Sequence, residues 1–330
     1  MRTLPQAEPH LSEREAEEVF GALLDGQAGE EEIARFLCDL SDRGETADEI
    51  AGAARALRAR MSAVQAPDDA IDVCGTGGDG HHTLNVSTAV SLVVAASGVP
   101  VAKHGNRAAS SKAGGADTLE ALGLDMEAAG RTAEKSLGEL GICFLFAANH
   151  HPAMLRIQPI RRKLGRRTIF NLMGPLSNPA GVRRQLIGIA RPAYVPIYAQ
   201  AKARLGSERT LIVSGDEGLD ELSLAGGNEV ADVQGHEWEL RRARASDAGL
   251  PTAPIEAIRG GDAVHNAKAL KALLMGAPGP YRDAVLFNAG AALMIAGRAP
   301  DYAEGAAVAA EAIDSGRAEA LLARWIELAR

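Results

Sequence analysis

The stretch Asp72-Val73-Cys74-Gly75-Thr76-Gly77-Gly78-Asp79 decides how the rest of the chain is read. Ile71, Val73 and Cys74 form a short apolar lead, the glycines follow, and helical patterning begins near Asn85. That is the order strand, glycine loop, helix. Glycine has no Cβ, so successive peptide N–H groups can converge on one anion, and the helix N-terminus behind them adds partial positive charge. The loop reads as a phosphate cradle or as a plain glycine turn feeding a helix. It lacks the G-x-x-x-x-G-K-[ST] spacing, and it fails the G-x-G-x-x-G fingerprint because Gly80 stands only two residues beyond Gly78.

Working outward, strand and helix patterns alternate from Ala70 onward. Strands are expected at 70–74, 99–103, 142–147, 186–190 and 210–214, with helices at 85–97, 117–122 and 194–205 between them. The alternation predicts an α/β fold with a mainly parallel central sheet flanked by helices. Residues 229–233 and 237–242 read as a hairpin, and 266–330 return to alanine-rich helices. Residues 1–66 read as a small helical domain, with capping boxes at Ser12/Glu15 and Thr46/Glu49 and helix stops at Gly26 and Gly44. The segment 150–178 is long, basic and helical, with Pro152 suited to a first turn and Gly174-Pro175 to the end of a second helix. It fits poorly in a simple crossover, so it is expected to pack back onto the helical domain. The α/β domain is then 67–149 with 179–330.

Apolar residues at 46% and charged residues at 24% describe a soluble globular chain, and 330 residues suffice for two cores. A net charge of −8 argues against a general nucleic-acid or anionic-membrane binder. Cys38, Cys74 and Cys143 lie far apart in apolar segments, as expected of buried thiols in a reducing compartment. With no signal-like start and no apolar run of membrane-spanning length, a cytoplasmic location is expected. A G-x-S-x-G elbow is missing, His81-His82 and His150-His151 lack the spacing of helical zinc ligands, and aromatics at 4% are few for stacking single-stranded nucleic acid.

Four further constellations carry chemistry. Asn85-Val86-Ser87-Thr88 opens a helix, where its oxygens can cap the helix or hold a phosphate and its metal. Lys103-His104-Gly105-Asn106-Arg107 follows a strand and precedes Ser110, Ser111, Gly114 and Gly115, placing a second polar loop at a strand's carboxyl end, where ligands gather in open parallel sheets. Asp220-Glu221, like the competing Asp216-Glu217, suits Mg²⁺, which prefers oxygen ligands and bridges carboxylates to phosphates. The basic run Arg156, Arg161, Arg162, Lys163, Arg166 and Arg167 reads as a solvated helix face from which one guanidinium can grip a carboxylate. Together these residues fit a diphosphorylated substrate with Mg²⁺.

Gly75 to Asp79, Lys103 to Arg107 with Ser110-Ser111, His150 to Met154, Arg167 to Leu176 with Asn178-Pro179, and Gly218-Leu219-Asp220-Glu221 together resemble anthranilate phosphoribosyltransferases, in order and spacing, over residues 12–330. The resemblance implies the fold of the nucleoside phosphorylase and phosphoribosyltransferase group and a homodimer through the helical domain. It implies displacement of pyrophosphate from phosphoribosyl pyrophosphate by the amine of anthranilate, a step of tryptophan biosynthesis. By the same resemblance, Gly75, Thr76, Gly77, Gly78, Asp79, Asn85, Ser87, Thr88, Lys103 and Ser110 would bind phosphoribosyl pyrophosphate, with Lys103 and Asp79 acting electrostatically. Gly75, His104, Asn106, His151, Arg161 and Gly174 would serve anthranilate, and Ser87, Asp220 and Glu221 would organise Mg²⁺. No catalytic base is assigned. Met154, Met173, Ala148-Asn149 and His81-His82 depart from the family pattern, away from the positions the chemistry needs. A pyrimidine nucleoside phosphorylase shares the implied fold, but would need neither the acidic pair nor Arg161. A phosphoribosyltransferase of the other major architecture would need a Thr/Gly phosphate loop where Gly218 to Glu221 stands. A nucleic-acid-binding relative would use the basic run and show steep salt dependence.

Overall fold

A computed structural model describes residues 3–6, 8–108 and 112–330. Three helices open the chain: α1 (Glu13–Leu24), α2 (Glu30–Arg43) and α3 (Ala47–Arg58). Both expected capping boxes form, so Ser12 and Thr46 each accept from the N–H three residues on, while Glu15 and Glu49 return the bond. Gly44 takes a φ of 89° to end α2. Gly52 lets α3 lie close on α1, because a Cβ there would stand 2.3 Å from the Glu13 carbonyl oxygen.

Among the described residues one seven-stranded sheet runs in the order β3-β2-β1-β4-β5-β6-β7. Its strands are β1 (Ile71–Gly75), β2 (Val101–Gly105), β3 (Ile142–Phe146), β4 (Arg184–Gly188), β5 (Ser207–Gly215), β6 (Gly227–Gly235) and β7 (Glu237–Arg244). The first five pair in parallel, and the hairpin β6-β7 adds antiparallel to β5. The parallel strands are buried because helices cover both faces, so their sequences read as apolar runs. The chain leaves β1 outward through β2 and β3, then returns to lay β4 on the other side of β1. That reversal opens a crevice beyond the carboxyl ends of β1 and β4, the usual ligand position in such sheets. The helix after the glycine loop, α4 (Val86–Ala96), is buried in the main core with the helix Pro280–Ile295.

The helix Met154–Leu164 leaves the sheet and packs on α1 and α2. Ile157, Ile160, Ile169 and Phe170 share one core with Phe20 and Phe36, and the Phe20 ring meets Phe36 and Phe170 edge-on, each at 5.8 Å. Gly165, at φ 62°, ends this helix. The second helix expected before Gly174-Pro175 is instead a 3₁₀ turn at Ile169–Asn171, and Pro175 starts another at Pro175–Ser177. Proline suits a first helical position, so it begins a turn here rather than marking an end. Of the three free cysteines, Cys143 is buried, whereas Cys38 and Cys74 are only half-buried. No helix among the described residues is long and apolar enough to cross a membrane.

Candidate active site

The loop after β1 turns on glycines held in left-handed torsions, with φ of 68° at Gly77, 74° at Gly78 and 81° at Gly80. It rests against the acidic segment that follows β5. The Gly77 N–H donates to Asp220 Oδ2 at 2.7 Å, so this N–H is turned away from any ligand. Among the described residues the N–H groups of Gly78, Asp79 and Gly80 carry no hydrogen bond, which leaves three consecutive donors free. Only glycine permits the approach of Asp220. A Cβ on Gly75 would stand 2.2 Å from Asp220 Oδ2, and one on Gly188 would stand 1.5 Å from the Asp220 carbonyl oxygen.

Glu221 Oε1 accepts from the Ser87 N–H at 3.0 Å, in the first turn of α4, while its Oε2 is buried with no partner among the described residues. Burial, with the charges of Asp220 and Asp79, holds the Glu221 carboxyl well above the usual carboxylate range. Burial and the Asp79 charge push Asp220 up to about 7, against the lowering effect of the Gly77 N–H. Two carboxylates so placed call for a cation. No group of three or more His, Cys, Asp or Glu forms a metal cage among the described residues. The donor set is that of a hard divalent ion which takes its remaining ligands from water and phosphate oxygens. The competing pair is otherwise engaged: Asp216 pairs with Arg242 at 2.6 Å, and Glu217 accepts from the Ser223 hydroxyl.

Lys103 projects from buried β2, and its ammonium donates to the Val73 carbonyl at 2.7 Å and the Ser87 hydroxyl at 3.2 Å. It therefore brings positive charge between the glycine loop and the start of α4. Thr88 Oγ1 is buried without a partner, and a Cβ on Gly115 would come within 2.8 Å of it. The Asn85 side chain is largely engaged inside the protein. Its Oδ1 accepts from Asn266 Nδ2 at 2.9 Å and from the Thr118 hydroxyl, and its Nδ2 donates to the Ala113 carbonyl at 3.3 Å. Asn106 is exposed at the rim, its Oδ1 accepting from the Arg107 N–H at 2.8 Å.

These groups line one crevice of about 400 Å³ that contains Gly75 to Gly80, Asn85, Ser87, Thr88, Lys103, His104, Asn106, Arg161, Gly174, Asp220 and Glu221. Arg161 is half-buried, pairs with no carboxylate among the described residues, and has a guanidinium pKa lowered by burial. Elsewhere in the basic run Lys163 pairs with Glu30 at 3.0 Å, Arg166 pairs with Asp42 and Arg156 donates to the Asp25 carbonyl at 3.5 Å, while Arg162 is exposed to solvent and does not line the crevice. His151 does not reach the crevice; it stands behind His104 and is only 5% exposed. Ser110 lies outside the described residues.

The chain matches the family description "Glycosyl transferase family, helical bundle domain" over residues 6–61 and "Glycosyl transferase family, a/b domain" over residues 67–319. It is 76% identical to the anthranilate phosphoribosyltransferase of Erythrobacter litoralis (strain HTCC2594), over all of both chains. The chain belongs to the anthranilate phosphoribosyltransferase family. Among solved structures it resembles the anthranilate phosphoribosyltransferase of Thermus thermophilus, at 45% identity and a TM-score of 0.91, covering 97% of this chain and 96% of that one. It also resembles the Saccharomyces cerevisiae anthranilate phosphoribosyltransferase in complex with PRPP and Mg, at 29% identity and a TM-score of 0.87, covering 97% and 94%.

Two residues that hold the site of this anthranilate phosphoribosyltransferase family member escape the sequence reading. Asn288, buried in the helix Pro280–Ile295, exchanges two 2.9 Å bonds with the backbone of Leu222 and so fixes the acidic segment. Its signal is a lone amide in the apolar stretch that follows Asp283 in that helix. Arg167 donates to the Gly77 and Gly78 carbonyls at 3.2 and 2.9 Å, and nothing in the basic run separates it from its neighbours.

Proposed function

We propose that the chain transfers the phosphoribosyl group of phosphoribosyl pyrophosphate to the amine of anthranilate and releases pyrophosphate, serving tryptophan biosynthesis. One observation carries the reading. Loop N–H groups that carry no hydrogen bond among the described residues, the buried pair Asp220-Glu221 and the guanidinium of Arg161, which meets no carboxylate among the described residues, line the same crevice.

The N–H groups of Gly78, Asp79 and Gly80 receive the diphosphate, with Lys103 and the start of α4 adding positive charge. Ser87, Asp220 and Glu221 would hold Mg²⁺, which when bound neutralises charge developing on the leaving pyrophosphate. Thr88 offers its unpartnered hydroxyl to a phosphoryl oxygen, and Asn85 braces the loops through its amide. Arg161 grips the anthranilate carboxylate, Asn106 and Gly174 border the acceptor, and His104 closes that wall with His151 behind it. The ribosyl carbon becomes cationic in a loose transition state, so positioning and electrostatics supply most of the acceleration. The aromatic amine is already neutral at pH 7, so the reaction proceeds without a strong base.

The division into a helical domain, 1–66 with 150–178, and an α/β domain, 67–149 with 179–330, belongs to the same reading. So do a homodimer through the helical domain and a cytoplasmic location. Closure of the two domains would exclude water, which competes for the activated sugar.

The test follows anthranilate fluorescence on mixing the protein with phosphoribosyl pyrophosphate. Loss of signal that requires both the sugar donor and Mg²⁺ is expected. A steady signal under every condition would reject the assignment.

A further inference from the structure

We propose that Arg167 is a positioning residue that turns the glycine loop toward the diphosphate from behind, without touching the ligand. Its guanidinium donates to two consecutive carbonyls, Gly77 at 3.2 Å and Gly78 at 2.9 Å. In a trans peptide unit the C=O and the N–H point in opposite directions. The Gly77 carbonyl shares its peptide with the Gly78 N–H, and the Gly78 carbonyl shares its peptide with the Asp79 N–H. Holding both carbonyls on Arg167 therefore points both N–H groups the other way, into the crevice. Arg167 itself lines a separate small cleft with Ser41, Glu45 and Tyr194.

The loop needs such a brace, because the glycines that permit its path also leave it many others. The φ of 74° at Gly78 favours glycine, and a Cβ there would stand 2.6 Å from Arg167 Nη1 and push the guanidinium away. Asp220 fixes the loop from the other side, through the Gly77 N–H. Arg167 reaches the loop from the helical side of the molecule, where its own carbonyl accepts from the Ser41 hydroxyl of α2 at 3.2 Å. Burial lowers the guanidinium pKa and Arg191 adds to this, while Asp220, Glu45 and Asp79 act against both. The seam between the helical unit and the sheet thus sets the geometry of the anion site.

The identity of the anion rests on the proposed phosphoribosyl transfer, so the test separates binding from chemistry. Pyrophosphate with Mg²⁺ is titrated calorimetrically into the wild type, Arg167→Gln and Arg167→Lys, and KM is measured for both substrates. Loss of hydrogen bonds that fix a charged ligand's site weakens binding roughly tenfold to a hundredfold. Arg167→Gln should lose pyrophosphate affinity by that factor. Arg167→Lys, which keeps the charge but not the planar fork, should fall between. KM for phosphoribosyl pyrophosphate should rise in parallel while KM for anthranilate stays within about twofold. Unchanged pyrophosphate affinity in both variants would overturn the proposal, as would an equal loss for both substrates accompanied by a lowered Tm. If Arg167→Gln does not fold, the lysine variant decides by the same split. A wild type that binds pyrophosphate but does not consume anthranilate would reject the proposed reaction and leave the role of Arg167 standing on the binding data.

Discussion

The Nε2 atoms of His104 and His151 lie 3.3 Å apart, and the pair has one consistent proton arrangement. His104 Nδ1 faces the Gly174 carbonyl at 2.8 Å and must carry a proton to donate to it. A neutral His104 then presents a lone pair at Nε2, His151 donates its Nε2–H to that lone pair, and His151 Nδ1 is buried with no hydrogen-bond partner among the described residues. Burial is the main cause that brings both imidazoles down to about 4, with the Lys103 ammonium adding to it at His104.

This arrangement fixes a pH dependence. Both rings are neutral in the folded protein well below the ordinary value of 6.5, whereas the unfolded chain takes up protons there. Their contribution is complete above about 6.5 and is lost as pH falls toward about 4, roughly 3 kcal/mol per ring. The Tm of the wild type should fall toward that of His151→Asn across this window and keep a constant margin over it at higher pH. A margin independent of pH from 4 to 8 would contradict the neutral pair.

Asp220 behaves in the opposite sense. Its folded carboxyl is raised from 3.8 to about 7, so its contribution is full below about 3.8 and lost as pH rises through about 7. Without ligands, Asp220→Asn should be more thermostable than the wild type at pH 8, with the advantage gone by pH 4. The same variant should lose turnover by about 100-fold or more, because electrostatic stabilisation at the leaving group is removed. Near-normal turnover at ordinary Mg²⁺ concentration would remove the acidic pair from the mechanism.

Arg161→Ala should raise KM for anthranilate by roughly tenfold to a hundredfold, the range for a charge-assisted hydrogen bond, with little effect on KM for phosphoribosyl pyrophosphate. Steady-state kinetics with each substrate varied in turn decides it. Equal effects on the two constants would place Arg161 elsewhere.

Gly188→Ala should damage both stability and activity. The added methyl would stand 1.5 Å from the Asp220 carbonyl oxygen and 2.3 Å from its carbonyl carbon, and backbone cannot yield cheaply. A loss of about 3 kcal/mol or more is expected by chemical denaturation. Gly138→Ala, inside the helix Ala133–Leu140 with open space at its Cβ, should instead gain about 0.5–1 kcal/mol.

Local rules carried the sequence reading wherever the decisive partner lay nearby. The glycine loop follows its strand and precedes its helix, and the two capping boxes close over three residues, so Ser12 and Thr46 announce helix starts without help from the fold. Apolar runs marked the buried parallel strands, and the two short segments 229–233 and 237–242 marked the hairpin that pairs antiparallel as β6 and β7. Gly174-Pro175 misled because proline's fixed φ serves the beginning of a turn as readily as the aftermath of a helix.

By itself, then, the sequence determined the strand, glycine-loop and helix order around Gly75 to Asp79, the alternation of strands and helices that follows it, and the supply of acidic and basic candidates, since propensity, capping and residue type act over a few positions. Tertiary structure decided which candidates are free. Asp216 is paired with Arg242 and Glu217 is held by the Ser223 hydroxyl, while Asp220 lies under the loop, bonded to Gly77 across 143 residues of chain. Arg166 finds Asp42, Arg161 finds no carboxylate among the described residues, and Arg167 finds two carbonyls. Those outcomes depend on which side chains from distant segments share a few ångströms, because an ion pair or a buried bond removes a charge from chemistry only at contact distance.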